Sequence, residues 1–194
     1  IYQVLDSGRM PGKWFYDHFV YGSDYRLGEF QAAILRTQLK KYPDQLAQRN
    51  KNAIYLNKEL SRIPGVHPQK RSEGVESCGQ YVYVVYFEPQ QFGNIEYKKM
   101  YKELDEYGIL TDATYPPLHT LDLFKDVNLL PYIDYSKANW YKLDEDPEKR
   151  KKHFQVIEKI HANAFELDQR VLLSDQECID YVIDAIKEIH KKYN

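Results

Sequence analysis

The feature that most constrains this chain is a helical repeat of unusual length. Leu27, Phe30 and Ile34, then Leu35, Leu39, Tyr42 and Leu46, follow the three- and four-residue spacing that lines one face of an α-helix. The spacing resumes at Ala53, Leu56, Leu60 and Ile63, and Pro64-Gly65 ends it. Pro43 lies inside the repeat and is expected to bend or restart the helix, since it lacks an N–H and crowds the preceding turn. Arms of this length often join two domains. Residues 27–63 are therefore expected to form a connecting helical arm, with an irregular segment over 1–26 and a small α/β domain over 64–194.

Residues 1–21 show no sustained period, and Gly8, Pro11 and Gly12 interrupt them. Their aromatic residues, Trp14, Phe15, Tyr16, Phe19 and Tyr21, are expected to pack against a surface outside this chain. Beyond the arm, Tyr81–Phe87 is rich in β-branched and aromatic residues and reads as a buried strand. Asn94 is expected to cap a helix carrying Tyr97, Met100, Tyr101, Leu104 and Tyr107, which Gly108 ends. A short strand should follow over Ile109–Thr111, and strand, helix, strand opens an α/β layer.

Residues 114–142 read as irregular. Asp146 should cap a helix with Pro147 at its first position and Phe154, Ile157 and Ile160 on one side. Lys149, Arg150, Lys151 and Lys152 would begin that helix, where the macrodipole does not favour them, and read as a solvated face or a polyanion contact. Phe165–Leu173 reads as a further strand. Ser174 and Glu177 form a capping box for a last helix that repeats Ile179, Val182, Ile183, Ile186 and Ile189.

Composition removes several classes of function. A net charge of −2, from 29 acidic and 27 basic side chains, gives no nucleic-acid footprint. No apolar run approaches the length needed to span a bilayer and no apolar leader opens the chain, so no membrane contact and a cytoplasmic location are expected. Cys78 and Cys178 stand too far apart for a metal knuckle or a Cys-x-x-Cys pair and read as buried or incidental thiols. The six histidines show no metal-ligand spacing, so no metal site is expected. The 18 tyrosines are compatible with a large subunit interface or a polar pocket. The chain opens on Ile1, and the natural polypeptide is expected to begin earlier.

Two segments are candidates for chemistry. Gly22-Ser23-Asp24-Tyr25-Arg26 directly precedes a helix start, where backbone N–H groups and an arginine can hold an anion. Asp24 equally makes an ordinary helix cap, and a carboxylate repels phosphate. In Tyr115-Pro116-Pro117-Leu118-His119 two prolines stiffen the loop, so that Tyr115 and His119 point in fixed directions. His119 can there donate a hydrogen bond or exchange a proton, or it can simply pack its ring against a neighbour.

The run from Gly22 to Leu35, continued by Gln38-Leu39 and Arg49, resembles the DegT/StrS family of pyridoxal-phosphate-dependent sugar aminotransferases. That family carries Gly-x-Asn-Tyr-Arg-Met-x-Glu-x-Gln-Ala-Ala where the long helix enters the small domain. Gly22, Tyr25, Arg26, Glu29, Gln31, Ala32 and Ala33 match it. The likeness extends through Pro64-Gly65-Val66, the Tyr115–His119 loop and Leu172-Leu173, and the segment 167–173 is most similar to the branch acting on keto-inositols.

The resemblance implies the small C-terminal domain of an aspartate-aminotransferase-like fold, taken from a homodimeric enzyme of sugar biosynthesis. The Schiff-base lysine, the aspartate facing the pyridine nitrogen and most phosphate ligands would then lie in a large domain upstream of Ile1. No catalytic residue is assigned to this chain, and it is not expected to bind the cofactor alone. The family asparagine that reaches the partner subunit's cofactor phosphate falls on Asp24 here, which replaces a donor with an acceptor. Asp24 and Arg26 are the cofactor-side candidates, and Tyr25, Tyr115 and His119 the substrate-side ones. The implied reaction moves an amino group from glutamate or glutamine to a keto sugar or keto-cyclitol. The alternative is a non-catalytic partner subunit or interaction module of the same descent.

Overall fold

The long apolar repeat forms one α-helix of 32 residues, α1 (Glu29–Leu60). The helix continues through Pro43 rather than restarting there. Pro43 and Leu39 are both exposed, so the backbone carbonyl that loses its donor lies on a solvated stretch of helix, where the loss is least costly. These coordinates come from a computed structural model that describes residues 6–20, 22–23, 27–121 and 146–194.

Two compact units divide the chain. One comprises Ile1–Ala33 with Tyr115–His161, the other Ile34–Thr114 with Ala162–Asn194. In the second unit four antiparallel strands, β1 (Val66–Pro68), β2 (Val82–Phe87), β3 (Thr111–Ala113) and β4 (Ala164–Asp168), form a sheet in the order β1-β2-β4-β3. The pairing sets Val84 opposite Glu166, and Asp112 opposite Glu166 from the other side. Strand β2 alternates, burying Tyr83, Val85 and Phe87. These join one core with Leu56 and Leu60 of α1, with Met100 and Leu104 of α2 (Tyr97–Glu106), and with the apolar face of α5 (Gln176–Tyr193). Each large side chain so buried contributes about 1.5–3 kcal/mol relative to exposure.

Only the C-terminal half of α1 enters this core. Ala53, Leu56 and Leu60 are buried there, whereas Leu27, Phe30, Ile34 and Leu39 of the same stripe are exposed, Phe30 at 90%. Two polar side chains accompany the buried half. Asn52 donates to the Leu172 and Ser174 carbonyls, and Arg49 donates to Gln169 Oε1 at 2.8 Å. These bonds fix α1 to the turn that follows β4.

Several local expectations change. Asn94 does not cap α2. It adopts φ +58° and closes the 3-10 turn Pro89–Phe92 by donating to the Pro89 carbonyl, a left-handed site that asparagine tolerates. The cap of α5 is Asp175, which accepts from the Cys178 N–H at 3.0 Å, while the Ser174 hydroxyl turns back to the Val171 carbonyl. The strand expected over Phe165–Leu173 ends at Asp168, and the remainder is a 3-10 turn, Val171–Leu173. The short strand near Ile109 starts at Thr111, and β1 carries too few residues to show a period.

In the first unit, Asp146 caps α3 (Pro147–His153) as expected, accepting from the Glu148 N–H at 2.9 Å. The helix stops at Phe154, and α4 (Gln155–Ala162) follows. Arg150 and Lys151 to His153 thus fall in the last turn of a short helix, where the macrodipole favours them. The basic run is not one solvated face, because Arg150 is buried.

Residues Asp6–Val20 form a closed loop in the same unit. The Phe19 N–H donates to the Gly8 carbonyl at 2.9 Å, and His18 Nδ1 meets the Ser7 carbonyl. Gly8 has φ +82°, and a Cβ added there would lie 1.8 Å from the Val20 carbonyl oxygen. Gly8→Ala is expected to open the loop by about 1–2 kcal/mol or more. Limited proteolysis checks this as at least roughly tenfold faster cleavage within residues 9–20.

The most polar feature of the second unit is Glu103 of α2, which is 1% exposed. Lys192 Nζ donates to its Oε2 at 2.6 Å, the Tyr193 hydroxyl to Oε1 at 2.5 Å, and Lys99 Nζ lies 3.1 Å from Oε1. Burial pushes the Glu103 carboxyl up, but the three donors outweigh it and hold the group at about 2, against an ordinary 4.5. A depressed folded-state value stabilises the fold above the unfolded value, and the gain is lost as pH falls towards 2. Glu103→Gln is expected to cost about 1.5–3 kcal/mol at neutral pH. In denaturant titrations the gap from the wild type should close between pH 4.5 and 2.

Candidate functional site

The start of α1 has a structural role that its residue types explain. Gln31, at the third helical position, accepts from the Gly28 N–H at 2.6 Å through its side chain, satisfying a donor the helix leaves unpaired. Gly22 and Ser23, before it, are half-buried. Asp24, Tyr25 and Arg26 lie outside the described residues.

The Tyr115–His119 loop belongs to the first unit. The Tyr115 ring is exposed and meets the edge of Tyr16 with centroids 5.1 Å apart, and Tyr16 also contacts Trp14 and Phe15 edge-on. Arg9 covers Phe15, its guanidinium 4.1 Å from the ring centroid. Trp14 and Phe15 nevertheless remain more than half exposed. The loop then enters a 3-10 turn, Leu118–Thr120, in which the Thr120 N–H and hydroxyl both donate to the Pro117 carbonyl.

His119 lies in this turn and is 7% exposed. Its Nε2 is 2.6 Å from Glu158 Oε1, and its ring stacks on Phe154 with centroids 4.4 Å apart and planes at 14°. Its backbone carbonyl accepts from Arg150 Nη1 at 3.4 Å. Tyr115 and His119 therefore share a loop but have different neighbours. The residues that sequence reasoning missed are Glu158, Arg150 and the stacking role of Phe154. Phe154 and Glu158 are one helical turn apart, joined by the Glu158 N–H to Phe154 carbonyl bond. That spacing, an aromatic ring followed by a carboxylate on the same side, is the only signal the sequence offers for the pair.

Beside this cluster an open cavity of about 520 Å³ is lined by Lys152–Ile157 and Ile160. Val156, Ile157 and Ile160 give it an apolar, exposed wall. Among the described residues no group of histidine, cysteine and carboxylate side chains is placed to hold a metal ion. No helix among them is long and apolar enough to cross a membrane.

Pyridoxal phosphate, which the resemblance implies, needs a lysine in a sheltered pocket, where desolvation favours the neutral amine. Every described lysine is exposed. By residue type alone, Gly22–Arg26 carries one guanidinium and one carboxylate. Among the described residues no lysine is sheltered in the way the group requires.

A profile of the DegT/DnrJ/EryC1/StrS aminotransferase family matches residues 2–145. Among curated relatives, the L-glutamine:2-deoxy-scyllo-inosose aminotransferase of Streptoalloteichus tenebrarius is 30% identical over 173 residues, 87% of this chain and 38% of that protein. The 3-amino-5-hydroxybenzoate synthase of Amycolatopsis mediterranei is 43% identical over 54 residues, 28% of this chain and 14% of that protein.

Among solved structures, that of 3-amino-5-hydroxybenzoic acid synthase superposes with a TM-score of 0.68 at 21% identity, covering 98% of this chain and 46% of that one. A family aminotransferase from Brucella abortus gives 0.58 at 21% identity, covering 97% and 42%. These two show the fold alone, a long helix followed by a small antiparallel sheet domain, as in the small domain of fold-type I pyridoxal-phosphate aminotransferases. The chain spans less than half the length of these relatives. By the extent of the profile match and the sequence identity together, it belongs to the DegT/DnrJ/EryC1/StrS aminotransferase family, whose members use pyridoxal phosphate.

Proposed function

We propose that this chain is the C-terminal part of an aminotransferase that moves an amino group from glutamate or glutamine to a keto sugar or keto-cyclitol. The observation that carries the reading is likeness along 87% of the chain to a protein named as a glutamine:2-deoxy-scyllo-inosose aminotransferase. Its likeness in fold to the small domain of fold-type I aminotransferases supports it.

Pyridoxal phosphate, when bound, supplies the electron sink that such a transfer needs. The contribution of this chain is to bind and orient. Tyr115 is an exposed aromatic side chain. His119 and Tyr25 are assigned to the hydroxyl-rich acceptor, and Arg26 to the cofactor. A homodimer would bring Asp24 towards the partner's cofactor. There its carboxylate favours a second reading, a non-catalytic partner subunit or interaction module, because an acceptor beside a phosphate weakens binding.

The test is the genomic frame upstream of the codon for Ile1. An open frame of about one further domain encoding a Schiff-base lysine and a ring-facing aspartate is expected. A stop codon and a start site close to Ile1 overturn the reading. In parallel, the chain incubated with pyridoxal phosphate and reduced with borohydride is expected to show scattered, substoichiometric labelling by mass spectrometry. Stoichiometric labelling at one lysine contradicts the assignment of that lysine to a missing domain.

A further inference from the structure

His119 is held from three directions by residues of its own unit. Glu158 meets Nε2 at 2.6 Å, Phe154 covers one face of the ring, and the buried Arg150 holds the backbone carbonyl. The turn behind Pro116-Pro117, closed by both donors of Thr120 on Pro117, fixes the main chain. A ring nitrogen 2.6 Å from a carboxylate oxygen needs a proton between them, and a carboxylate accepts. Nε2 is then the donor, whether the ring is imidazole or imidazolium.

We propose that Glu158 is the positioning residue of His119: it holds the proton on Nε2 and fixes the ring plane, which leaves the lone pair of the neutral ring on Nδ1. This rests on the reading in which His119 meets the substrate. A neutral imidazole held in this way accepts at Nδ1 from a hydroxyl or ammonium group, the donors that a polyhydroxylated acceptor or its aminated product carries. The stack on Phe154 resists rotation of the ring out of this setting, and Glu158, 28% exposed, reaches it from α4 across 39 residues of sequence. The arrangement follows the general rule that a partner on one imidazole nitrogen dictates what the other can do.

Ring 15N spectra of the labelled chain test the proposal without cofactor or turnover, with the His119 signals assigned by their loss in His119→Gln. The wild type and Glu158→Gln, whose amide oxygen still accepts, are expected to show Nε2 protonated. Glu158→Ala and the shorter Glu158→Asp are expected to lose the single tautomer, with the Nδ1–H form becoming detectable. Should Glu158→Ala fail to fold, Glu158→Asp gives the same readout. A bare Nε2 in the wild type, or an unchanged tautomer in Glu158→Asp, overturns the proposal.

In the complete aminotransferase, Glu158→Ala is expected to lower kcat/KM for the keto acceptor at least about tenfold, with Glu158→Gln near the wild type. A released tautomer with unchanged kinetics overturns instead the reading that His119 meets the substrate.

Discussion

The second unit depends on the antiparallel pairing of β2 with β4. Both strands are interior to the sheet, and Ala164–Leu167 of β4 are buried without interruption. That pairing places Phe165 and Leu167 beside Val85 and Tyr83, giving α2, α5 and the end of α1 a common surface to cover. It also fixes the turn after β4. Arg49 and Asn52 of α1 find their acceptors at this turn, on Gln169, Leu172 and Ser174, so the long helix is oriented by hydrogen bonds as well as by burial. Asn52 is tolerated at this depth because its amide nitrogen donates to two carbonyls.

How much of this was legible varies with the range of the forces involved. The apolar period of α1 and α5 and the strand at β2 could be read directly, because burial on one face repeats along the sequence. Domain class and family followed from those elements and from the Gly22–Ala33 run. Caps were less legible. Ser174 and Asp175 are both good caps, and the choice of Asp175 depends on the 3-10 turn Val171–Leu173, which draws the Ser174 hydroxyl back to Val171. Likewise Asn94 offers the right side chain for a cap, but its backbone closes the preceding turn and α2 begins later, behind Glu96.

The candidate site was legible in position but not in partnership. The two prolines marked the Tyr115–His119 loop as rigid, and the structure shows the turn they feed. Nothing local tells that His119 meets Glu158 and Arg150, which lie 39 and 31 residues away. The basic run around Arg150 was opaque for the same reason: its average character is solvated, and one member is drawn inside by a carbonyl it cannot find on its own helix. Each of these contacts is set by tertiary packing that composition and spacing do not encode.

The margins of the sheet have a further consequence. Strands β1 and β3 close the sheet on either side and are each three residues long, and β1 ends in Pro68, which has no N–H to offer. A neighbouring chain seeking to add a strand would find room for only a bond or two on either border. Short borders of this kind are how β-containing proteins avoid uncontrolled growth into fibres. Colloidal behaviour of this chain is therefore governed by its exposed aromatic and aliphatic side chains rather than by its backbone.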